Sequence, residues 1–265
     1  MSLLLPSGLK GTILSRSTNP YLNLALETYL FTTHPQTHIL LFYRNCPTVV
    51  IGRNQNPFSQ VNLSHSNFLR RYSGGGTVYH DLGNANFSVR MPRTEFARRT
   101  YAEMVVRAME RLHIHGCRVT ERGDIVVVKA EEGYKVSGSA YKVSKDMAYH
   151  HGTMLLGSNL IELRKALRID GRIMIRDNGV DSLRAKHVAN VPFPGENIHE
   201  KFEGFVRAVR FEFEEMHGRH RYVELTEDCI MKIPEVAKSV EKLKVAPFEK
   251  RGLIAELGVE IRDDA

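Results

Sequence analysis

A single lysine lies among small residues in the stretch GYKVSGSAYK, residues 133–142. If this stretch forms a strand, Lys135 shares one face with Ser137 and Ser139, while small and apolar residues occupy the other face. A lysine on a strand otherwise suited to burial indicates a functional cation. An ammonium group beside phosphates stabilises the negative charge that develops in acyl or phosphoryl transfer. The alternative is an edge strand whose lysines prevent aggregation.

Three consecutive glycines in RRYSGGGTVYHDLGN, residues 70–84, form the second candidate. Glycines lack a Cβ, so the backbone can approach a ligand closely and offer N–H groups to its anionic part. Arg71 can add a planar guanidinium for a phosphate or a carboxylate. The strand predicted after the glycines carries Thr77 and Tyr79 on one face, and Val78 and His80 on the other. Polar and apolar side chains beside an anion-binding loop suit a ligand with a charged head and an apolar tail. A flexible surface turn is the alternative.

Several other catalytic signatures are absent from the sequence. The chain has no GxxxxGK[ST] and no GxGxxG between a strand and a helix, which argues against a P-loop and a Rossmann fold. The histidines at 113–115 and 150–151 have no third ligand at suitable spacing, so we expect no protein-bound metal. Ser73, His80 and Asp81 could be drawn as a hydrolase triad, but the G-x-S-x-G motif is missing.

The three cysteines, Cys46, Cys117 and Cys229, are far apart and form no CxxC pair. This pattern argues against a disulfide framework and a zinc site, and it fits a reducing compartment. An acyltransferase that works through a cysteine thioester would need a cysteine near the lysine strand. None lies in the motif stretches, although Cys117 could approach them in space.

Composition limits the range of partners. The 265 residues carry a formal net charge of +7, from 37 Lys and Arg against 30 Asp and Glu. A positive protein favours an acidic partner. The basic residues are scattered and not interleaved with aromatic residues, so we expect no nucleic-acid binding. No apolar run approaches the roughly 18 residues of a membrane span, so we expect no membrane association.

The pattern of apolar residues predicts an α+β fold with a mixed β-sheet core flanked by helices, because strands and helices alternate irregularly. Helices are predicted at 19–31, 102–116, 159–167 and, after 197, with an apolar face of Phe202, Phe205, Val206, Val209 and Phe213. Strands are predicted at 38–45, 47–53, 77–82, 84–91, 124–128, 135–143 and 151–156. The two prolines and the glycine of VPFPGEN, residues 191–197, predict a boundary between the main part of the chain and its C-terminal part. A weakly patterned tail ends the chain.

Four stretches in their order along the chain resemble the lipoate–protein ligase A family: RRYSGGGTVYHDLGN, DIVVV, YKVSGSAYK and YHHGTMLL. Two further stretches are also similar to this family, NPYLNLALE and LLFYRNCPTVVIGRNQNPF. Their residues resemble its mitochondrial lipoyltransferase branch more than its bacterial branch. The resemblance runs from about residue 17 to residue 190. It implies a class II biotin/lipoate protein ligase-like catalytic domain. With an N-terminal segment that lacks acidic residues, it also implies a mitochondrial location, or a cytoplasmic one for a bacterial chain.

The resemblance implies a two-step reaction. Free lipoate and ATP, with Mg²⁺ bridging phosphate oxygens, form lipoyl-AMP and pyrophosphate. A lysine on a carrier domain then attacks the acyl group and forms an amide. The implied carriers are the E2 subunits of 2-oxoacid dehydrogenases and the glycine-cleavage H protein, and we expect the enzyme to be a monomer.

The resemblance also assigns roles to individual residues, with Lys135 as the catalytic lysine that contacts the lipoyl carboxylate and the α-phosphate. The residues implied for ATP or adenylate binding are Arg71, Tyr72, Gly76, Thr77, Val78, Tyr79, His80, Asn84, Asp124 and Lys135. Those implied for lipoate binding are Arg71, Ser73, Gly74, Gly75, Gly76, Lys135, Ser137, Gly138, Ala140, His151 and Thr153. The segment SLRAKHVAN, residues 182–190, resembles the family's adenylate loop.

Members of this family usually carry a small C-terminal domain with a tryptophan-containing segment, whereas this chain has no tryptophan. We therefore expect a catalytic core at 1–195, followed at 196–265 by the helical end of that domain and a reduced or atypical C-terminal region. In some relatives the accessory domain is needed for adenylation but not for transfer. A reduced C-terminal region would therefore affect adenylation, the half-reaction that uses ATP, more than acyl transfer.

Three other functions stay open on the sequence. The first is an ATP-independent lipoyl or octanoyl transferase that works between carrier proteins. The second is a catalytically inactive relative that binds lipoyl domains, although such a relative would be expected to have lost Lys135 or Arg71. The third is a biotin–protein ligase, whose glycine–arginine–glycine signature is replaced here by SGGGT.

Overall fold

The computed structural model describes residues 11–33, 37–57, 61–62, 67–129, 132–169, 172–173 and 188–245. Its helices are α1 (Pro20–Thr33), α2 (Thr100–Arg111), α3 (Leu160–Ala166), α4 (Ile198–His217), α5 (Glu227–Met231) and α6 (Pro234–Val245). None of the helices in this part of the chain is long and apolar enough to cross a membrane.

A six-stranded mixed sheet forms the centre of the described structure, in the strand order β10-β11-β6-β2-β1-β14. Its strands are β1 (Gly11–Ser15), β2 (Ile39–Tyr43), β6 (Asn84–Pro92), β10 (Ser139–Val143), β11 (Met147–Leu155) and β14 (Arg221–Leu225). The neighbours of β1 run parallel to it, and the other pairs are antiparallel.

Two smaller three-stranded sheets lie beside the main one. The first has the order β4-β3-β5, with β3 (Thr48–Ile51), β4 (Phe68–Arg70) and β5 (Val78–His80). The second has the order β7-β8-β9, with β7 (Cys117–Val119), β8 (Ile125–Lys129) and β9 (Glu132–Ser137). Two further short strands, β12 (Arg168–Ile169) and β13 (Arg172–Ile173), pair in antiparallel orientation. The α+β prediction is confirmed.

Alternate side chains of the main sheet enter two separate cores. In β2, Leu40 and Phe42 pack into a core shared with α2 and α4, whereas Leu41 and Tyr43 pack into a core shared with α1 and α6. This alternation is the two-residue period of a strand. A helical layer therefore covers each face of the sheet. Because both faces of β2 are buried, its residues form a continuous apolar run.

The predicted helix at 19–31 and the long helix after 197 are confirmed. The side-chain oxygen of Asn19 accepts a hydrogen bond from the Tyr21 N–H at 3.0 Å, so Asn19 caps α1 as expected. The side-chain oxygen of Asn197 caps α4 by accepting from the Glu200 N–H at 3.0 Å. The apolar face predicted for α4 is buried in the core that α2 shares.

The helix predicted at 102–116 is wrong at its end, because α2 stops at Arg111. His113 and Gly116 have positive φ values of 57° and 82°, which are incompatible with a continuing right-handed helix. The Gly116 carbonyl instead accepts a hydrogen bond from the Val128 N–H at 2.9 Å. The sequence signal for a closing glycine was real, but it marks the entry to β7.

The single strand predicted at 135–143 is also wrong. The chain forms β9 and β10, which belong to different sheets, and Gly138 lies between them. The N–H of Gly138 donates to Thr153 Oγ1 at 2.9 Å, and the Thr153 N–H donates to the Gly138 carbonyl at 3.0 Å. The chain therefore changes sheets next to the lysine that the sequence singled out.

The weakly patterned tail contains regular structure up to residue 245. β14 pairs in parallel with β1 at one edge of the main sheet, and α6 packs into the same core as α1. Parallel pairing joins residues far apart in sequence, so no local pattern predicts it. The division of the chain at 195 remains a prediction.

Candidate active site

A cavity of about 420 Å³ opens where the main sheet meets the two three-stranded sheets and α3. Most of the residues predicted to bind ligand line this cavity. They are Arg71, Gly75, Gly76, Thr77, Val78, Tyr79, His80, Asn84, Asp124, Lys135, Ser137, Gly138, Ala140, His151 and Thr153. The structure thus brings together two stretches, 71–84 and 124–153, and the ligand roles of their residues remain predictions.

Lys135 is held at the cavity by a carboxylate. Its Nζ lies 2.6 Å from Asp124 Oδ2, and the two side chains are 28% and 21% exposed. The other carboxylate oxygen of Asp124 accepts a hydrogen bond from the Ser139 N–H at 3.1 Å. The ammonium group therefore has a fixed position and a compensating charge, while part of it remains open to the cavity.

Arg71 clamps the triglycine loop, which we define as residues 73–77. Its guanidinium donates to the carbonyl oxygens of Val50, Gly74 and Gly76 at 3.0, 2.7 and 2.7 Å. Burial lowers the pKa of Arg71 to about 10, so the group remains a cation at neutral pH. Most of its N–H donors are used within the protein, so its main role is to position the loop, and its direct contact with an anion stays a prediction.

The triglycine loop is closely packed rather than flexible. Gly75 has a φ of +90°, and a Cβ there would lie 3.0 Å from Arg71 Nη2. A Cβ on Gly52 would lie 2.1 Å from the Gly75 carbonyl oxygen. Glycine is needed at both positions, for backbone conformation at one and for close approach at the other. The alternative of a loose surface turn does not describe this loop.

Three residues predicted for ligand binding, Tyr72, Ser73 and Gly74, are not among the described residues that line the cavity. Ser73 is fully buried, and its carbonyl oxygen accepts from the Arg53 N–H at 2.9 Å. The Gly74 N–H donates to the Tyr141 carbonyl on β10 at 3.4 Å. Tyr72 lies outside the cavity wall, with the Lys142 ammonium 5.4 Å from the centre of its ring.

His80 is a buried neutral histidine in the cavity wall. Burial, followed by the nearby His151 and Arg71, lowers its pKa well below the ordinary histidine value. Its Nδ1 lies 2.9 Å from the side-chain amide nitrogen of Asn45, which donates, so the ring proton belongs on Nε2. Within the described residues that Nε2 has no hydrogen-bond partner. The Nε2–H of His80 is therefore a buried donor in this part of the structure.

His151 is paired with a carboxylate that the sequence did not reveal as a site residue. Its Nδ1 lies 3.0 Å from Glu27 Oε1 on α1, and both side chains are only 4% exposed. Burial opposes ionisation of Glu27, but His151 and hydrogen bonds from Ser88 and Tyr149 hold the pKa of Glu27 below its ordinary value. The available signal was one acidic residue within the apolar run NPYLNLALE.

Other lining residues were also missed, and they are Val50, Arg98, Arg122, Ser139, Tyr141, Leu155, Leu163 and Val188. The aliphatic residues come from four separate segments, so only the fold could bring them together into one apolar wall. Ser139 could have been found, because the sequence predicted it on the face of Lys135. Its hydroxyl donates to the Gly123 carbonyl at 2.7 Å and contacts His150 Nε2 at 2.8 Å.

The cavity offers no set of metal ligands. No group of three or more histidine, cysteine, aspartate or glutamate side chains in the described ranges could hold a metal ion. Asp124 is the one carboxylate among the residues that line the cavity in this structure, and Lys135 already neutralises it. Binding of Mg²⁺ remains a prediction. Most of the predicted adenylate loop, 182–187, lies outside the described residues.

Comparison with known proteins agrees with this geometry. Residues 19–203 match the model of the lipoyl protein ligase A/B catalytic domain. A Bdellovibrio bacteriovorus lipoate-protein ligase A is 36% identical over 239 residues, which cover 87% of this chain and 68% of the relative. A Schizosaccharomyces pombe protein, provisionally named lipoate-protein ligase A, is 45% identical over 178 residues. That match covers 65% of this chain, which spans about half (48%) of the relative's length.

Solved structures show the same fold. A Thermoplasma acidophilum protein with bound lipoic acid, provisionally named a lipoate protein ligase, matches with a TM-score of 0.67 and 26% identity. This match covers 89% of the chain and 94% of that protein. A lipoate-protein ligase A bound with ATP matches over the same shares, with a TM-score of 0.68 and 26% identity. The matched domain covers more than half of the sequence and contains the whole cavity wall, so the chain belongs to the lipoyl protein ligase A/B catalytic domain family.

Proposed function

We propose that this chain transfers a lipoyl group, activated as lipoyl-AMP, to the ε-amine of a lysine on a carrier domain. The observation that carries the proposal is the cavity itself, in which the Lys135 ammonium and the packed triglycine loop lie beside an apolar wall. An acyl adenylate needs these features together, because it joins an aliphatic chain to a phosphate. Relatives named lipoate-protein ligase, and matching structures with lipoic acid or ATP bound, support the same substrates.

The apolar residues of the wall suit the hydrocarbon part of the substrate. Val50, Val78, Leu155 and Leu163 line the cavity from four different elements. Burial of an aliphatic chain against such side chains contributes roughly 25 cal/mol for each Å² removed from water. His80 lines the same wall, so the cavity combines apolar surface with a polar side chain.

In the first proposed step, a carboxylate oxygen of lipoate attacks the α-phosphorus of ATP. A new P–O bond forms while the bond to the leaving pyrophosphate breaks. Both reactants are anions, so the step needs a cation between them in a site with little water. Lys135 supplies this charge, and Asp124 keeps the ammonium in place.

In the second step, the neutral amine of the carrier lysine attacks the acyl carbon of lipoyl-AMP. The C–N bond of the amide forms, the C–O bond to AMP breaks, and the amine loses a proton to solvent. Negative charge develops on the departing phosphate, where Lys135 can stabilise it. Lys135 is thus proposed to act in both steps.

A route through an acyl-cysteine has less support. None of the three cysteines is among the described residues that line the cavity. Cys117 is buried in β7, where burial raises the pKa of its thiol to about 11. A neutral thiol is a poor nucleophile. The alternative of Cys117 as a nucleophile is therefore not favoured.

The test compares acyl donors with one purified apo carrier, a lipoyl domain or an H protein. The donors are free lipoate plus ATP and Mg²⁺, synthetic lipoyl-AMP, and a lipoylated H protein, and mass spectrometry of the carrier measures transfer. Transfer from lipoyl-AMP is the expected result. Transfer from the lipoylated protein alone would indicate a carrier-to-carrier transferase, and no transfer from any donor would contradict the proposal in favour of a binding protein.

A further inference from the structure

A chain of buried polar side chains connects the main sheet to the cavity wall. Its members are Ser15 on β1, Asn23 on α1, Asn45 just after β2, and His80 on β5. Consecutive members are joined by hydrogen bonds of 2.6, 2.9 and 2.9 Å. All four side chains are buried. Because buried donors need acceptors, each hydrogen bond of the chain has a direction that its neighbours determine.

Backbone carbonyl groups fix the orientation of the Asn23 amide. Its nitrogen lies 2.9 Å from the Ser17 carbonyl oxygen and 3.0 Å from the Arg44 carbonyl oxygen. Carbonyl oxygens only accept hydrogen bonds, so a half-turn of the amide would place its oxygen against two other acceptors. The Asn23 oxygen instead accepts from the Ser15 hydroxyl. The amide nitrogen of Asn23 therefore has one allowed position.

Asn23 in turn fixes the orientation of Asn45. The Asn23 nitrogen donates to Asn45 Oδ1 at 2.9 Å, and an Asn45 nitrogen at the same place would set donor against donor. The Asn45 nitrogen must therefore point the other way, where it lies 2.9 Å from His80 Nδ1. The His80 ring is neutral, because burial lowers its pKa well below the ordinary histidine value. With Nδ1 as the acceptor, the ring proton lies on Nε2.

The chain ends in the wall of the cavity. His80 lines the cavity, whereas Asn23 and Asn45 are not among the described residues that do. A neutral histidine can carry its proton on either ring nitrogen, and the hydrogen bond made by one nitrogen decides the state of the other. The backbone of Ser17 and Arg44 thus determines, through two side-chain amides, which form of His80 the wall contains.

We infer that Asn45, held in place by Asn23, is a positioning residue that keeps His80 in the form with a donor at Nε2. At this point the wall then has an N–H group and not a lone pair, which suits an acceptor atom of a substrate. The inference rests on the proposed function for its substrate, because the phosphate and acyl oxygens of lipoyl-AMP are acceptors. Asn23 and Asn45 act on that substrate only through His80.

Nuclear magnetic resonance of the full 265-residue chain tests the position of the proton. Long-range ¹H–¹⁵N correlation spectra of protein labelled with ¹⁵N-histidine distinguish the two neutral forms, and a His80→Gln variant identifies the signals of His80 by their loss. The wild type should show the Nε2–H form. Asn45→Asp should give the Nδ1–H form, because a carboxylate only accepts. Asn45→Ala removes the donor without adding an acceptor and should give a mixture.

The same variants test the effect on the proposed reaction. In transfer assays, Asn45→Asp should raise the KM for synthetic lipoyl-AMP about tenfold, as expected when a buried hydrogen bond is replaced by two facing acceptors. Ser15→Ala is the matched control, since it alters the same buried chain but leaves both carbonyl groups that orient Asn23. Its His80 spectrum should match that of the wild type, and its KM should change by less than about twofold.

A wild type in the Nδ1–H form would overturn the inference, as would Asn45 variants that keep the wild-type form of His80. An inverted form of His80 with an unchanged KM would overturn the positioning role of Asn45. The spectra need no substrate. Absence of transfer from lipoyl-AMP by the wild type would therefore contradict the proposed function separately from the result for His80.

Discussion

The buried wall of the cavity and its rim use charge in different ways. Arg71 and His151 in the wall, and Glu27 directly behind His151, are nearly inaccessible, and each is held by partners within the protein. At the rim, Lys135 and Asp124 keep about a quarter of their side chains exposed. Buried charges must be compensated inside the protein, because desolvation is costly. The buried charges therefore maintain the shape of the site, and the rim charges remain accessible from the cavity.

If this division is correct, substitution at the rim should remove activity and leave the fold intact. Lys135→Ala should reduce the rate of lipoyl transfer from lipoyl-AMP by about 100-fold or more, the size typical for loss of one group that stabilises transition-state charge. The free energy of unfolding should change by less than about 1 kcal/mol, since the lost ion pair is partly exposed. Transfer kinetics and urea denaturation measure the two effects, and near wild-type turnover would remove Lys135 from the mechanism.

Changes in the wall should act on stability. Gly52→Ala places a methyl group 2.1 Å from the Gly75 carbonyl oxygen, so the triglycine loop must shift. We expect a loss of about 3 kcal/mol in the free energy of unfolding, together with weaker lipoate binding. Gly133→Ala is the control, because the nearest atom to its Cβ would be 3.9 Å away. Equal stability of the two variants would show that the loop is not closely packed.

The pair of Glu27 and His151 should make stability depend on pH. Glu27→Gln removes a buried charge and should cost about 2 kcal/mol at pH 7. The folded protein lowers the pKa of Glu27, so this contribution is present above the ordinary glutamate pKa and is lost as pH falls below it. The difference between wild type and variant should therefore shrink from about pH 4.3 downward.

Glu241→Gln provides the matched control for this experiment, because Glu241 is 71% exposed and pairs with Lys244 on the surface. Its effect on the free energy of unfolding should stay below about 0.5 kcal/mol at every pH. Chemical denaturation at a series of pH values measures both variants. A Glu27→Gln protein that loses stability equally at pH 7 and at pH 3 would show that the carboxylate charge is not what stabilises the wall.

The smallest expected effect concerns approach of the carrier to the rim. The chain has a net charge of +7, which should attract an acidic carrier domain. Raising the ionic strength from about 0.05 to 0.5 M should then lower the transfer rate roughly threefold. Transfer to hydroxylamine, an uncharged acceptor, should be insensitive to salt. Equal salt dependence for both acceptors would argue against electrostatic steering of the carrier.

The rim and the loop were more predictable from the sequence than the wall. Lys135 and the triglycine loop can be recognised in the sequence, because their residue types are unusual in ordinary strands and turns. Glu27 carries only a weak local signal, one acidic residue within an apolar run, and the aliphatic wall carries none. The roles of these residues depend on which elements meet in space. The same limit explains the single strand predicted at 135–143, since apolar alternation continues across Gly138 although the chain changes sheets there.

The parallel pairing of β14 with β1 has a practical consequence for shortened forms of the protein. A chain cut at residue 195, where the prolines suggest a boundary, would lack the strand that covers one side of β1. The backbone N–H and C=O groups of a strand with five buried residues would then be free to recruit a strand from another molecule. Such a fragment would self-associate although every residue of the cavity wall is still present.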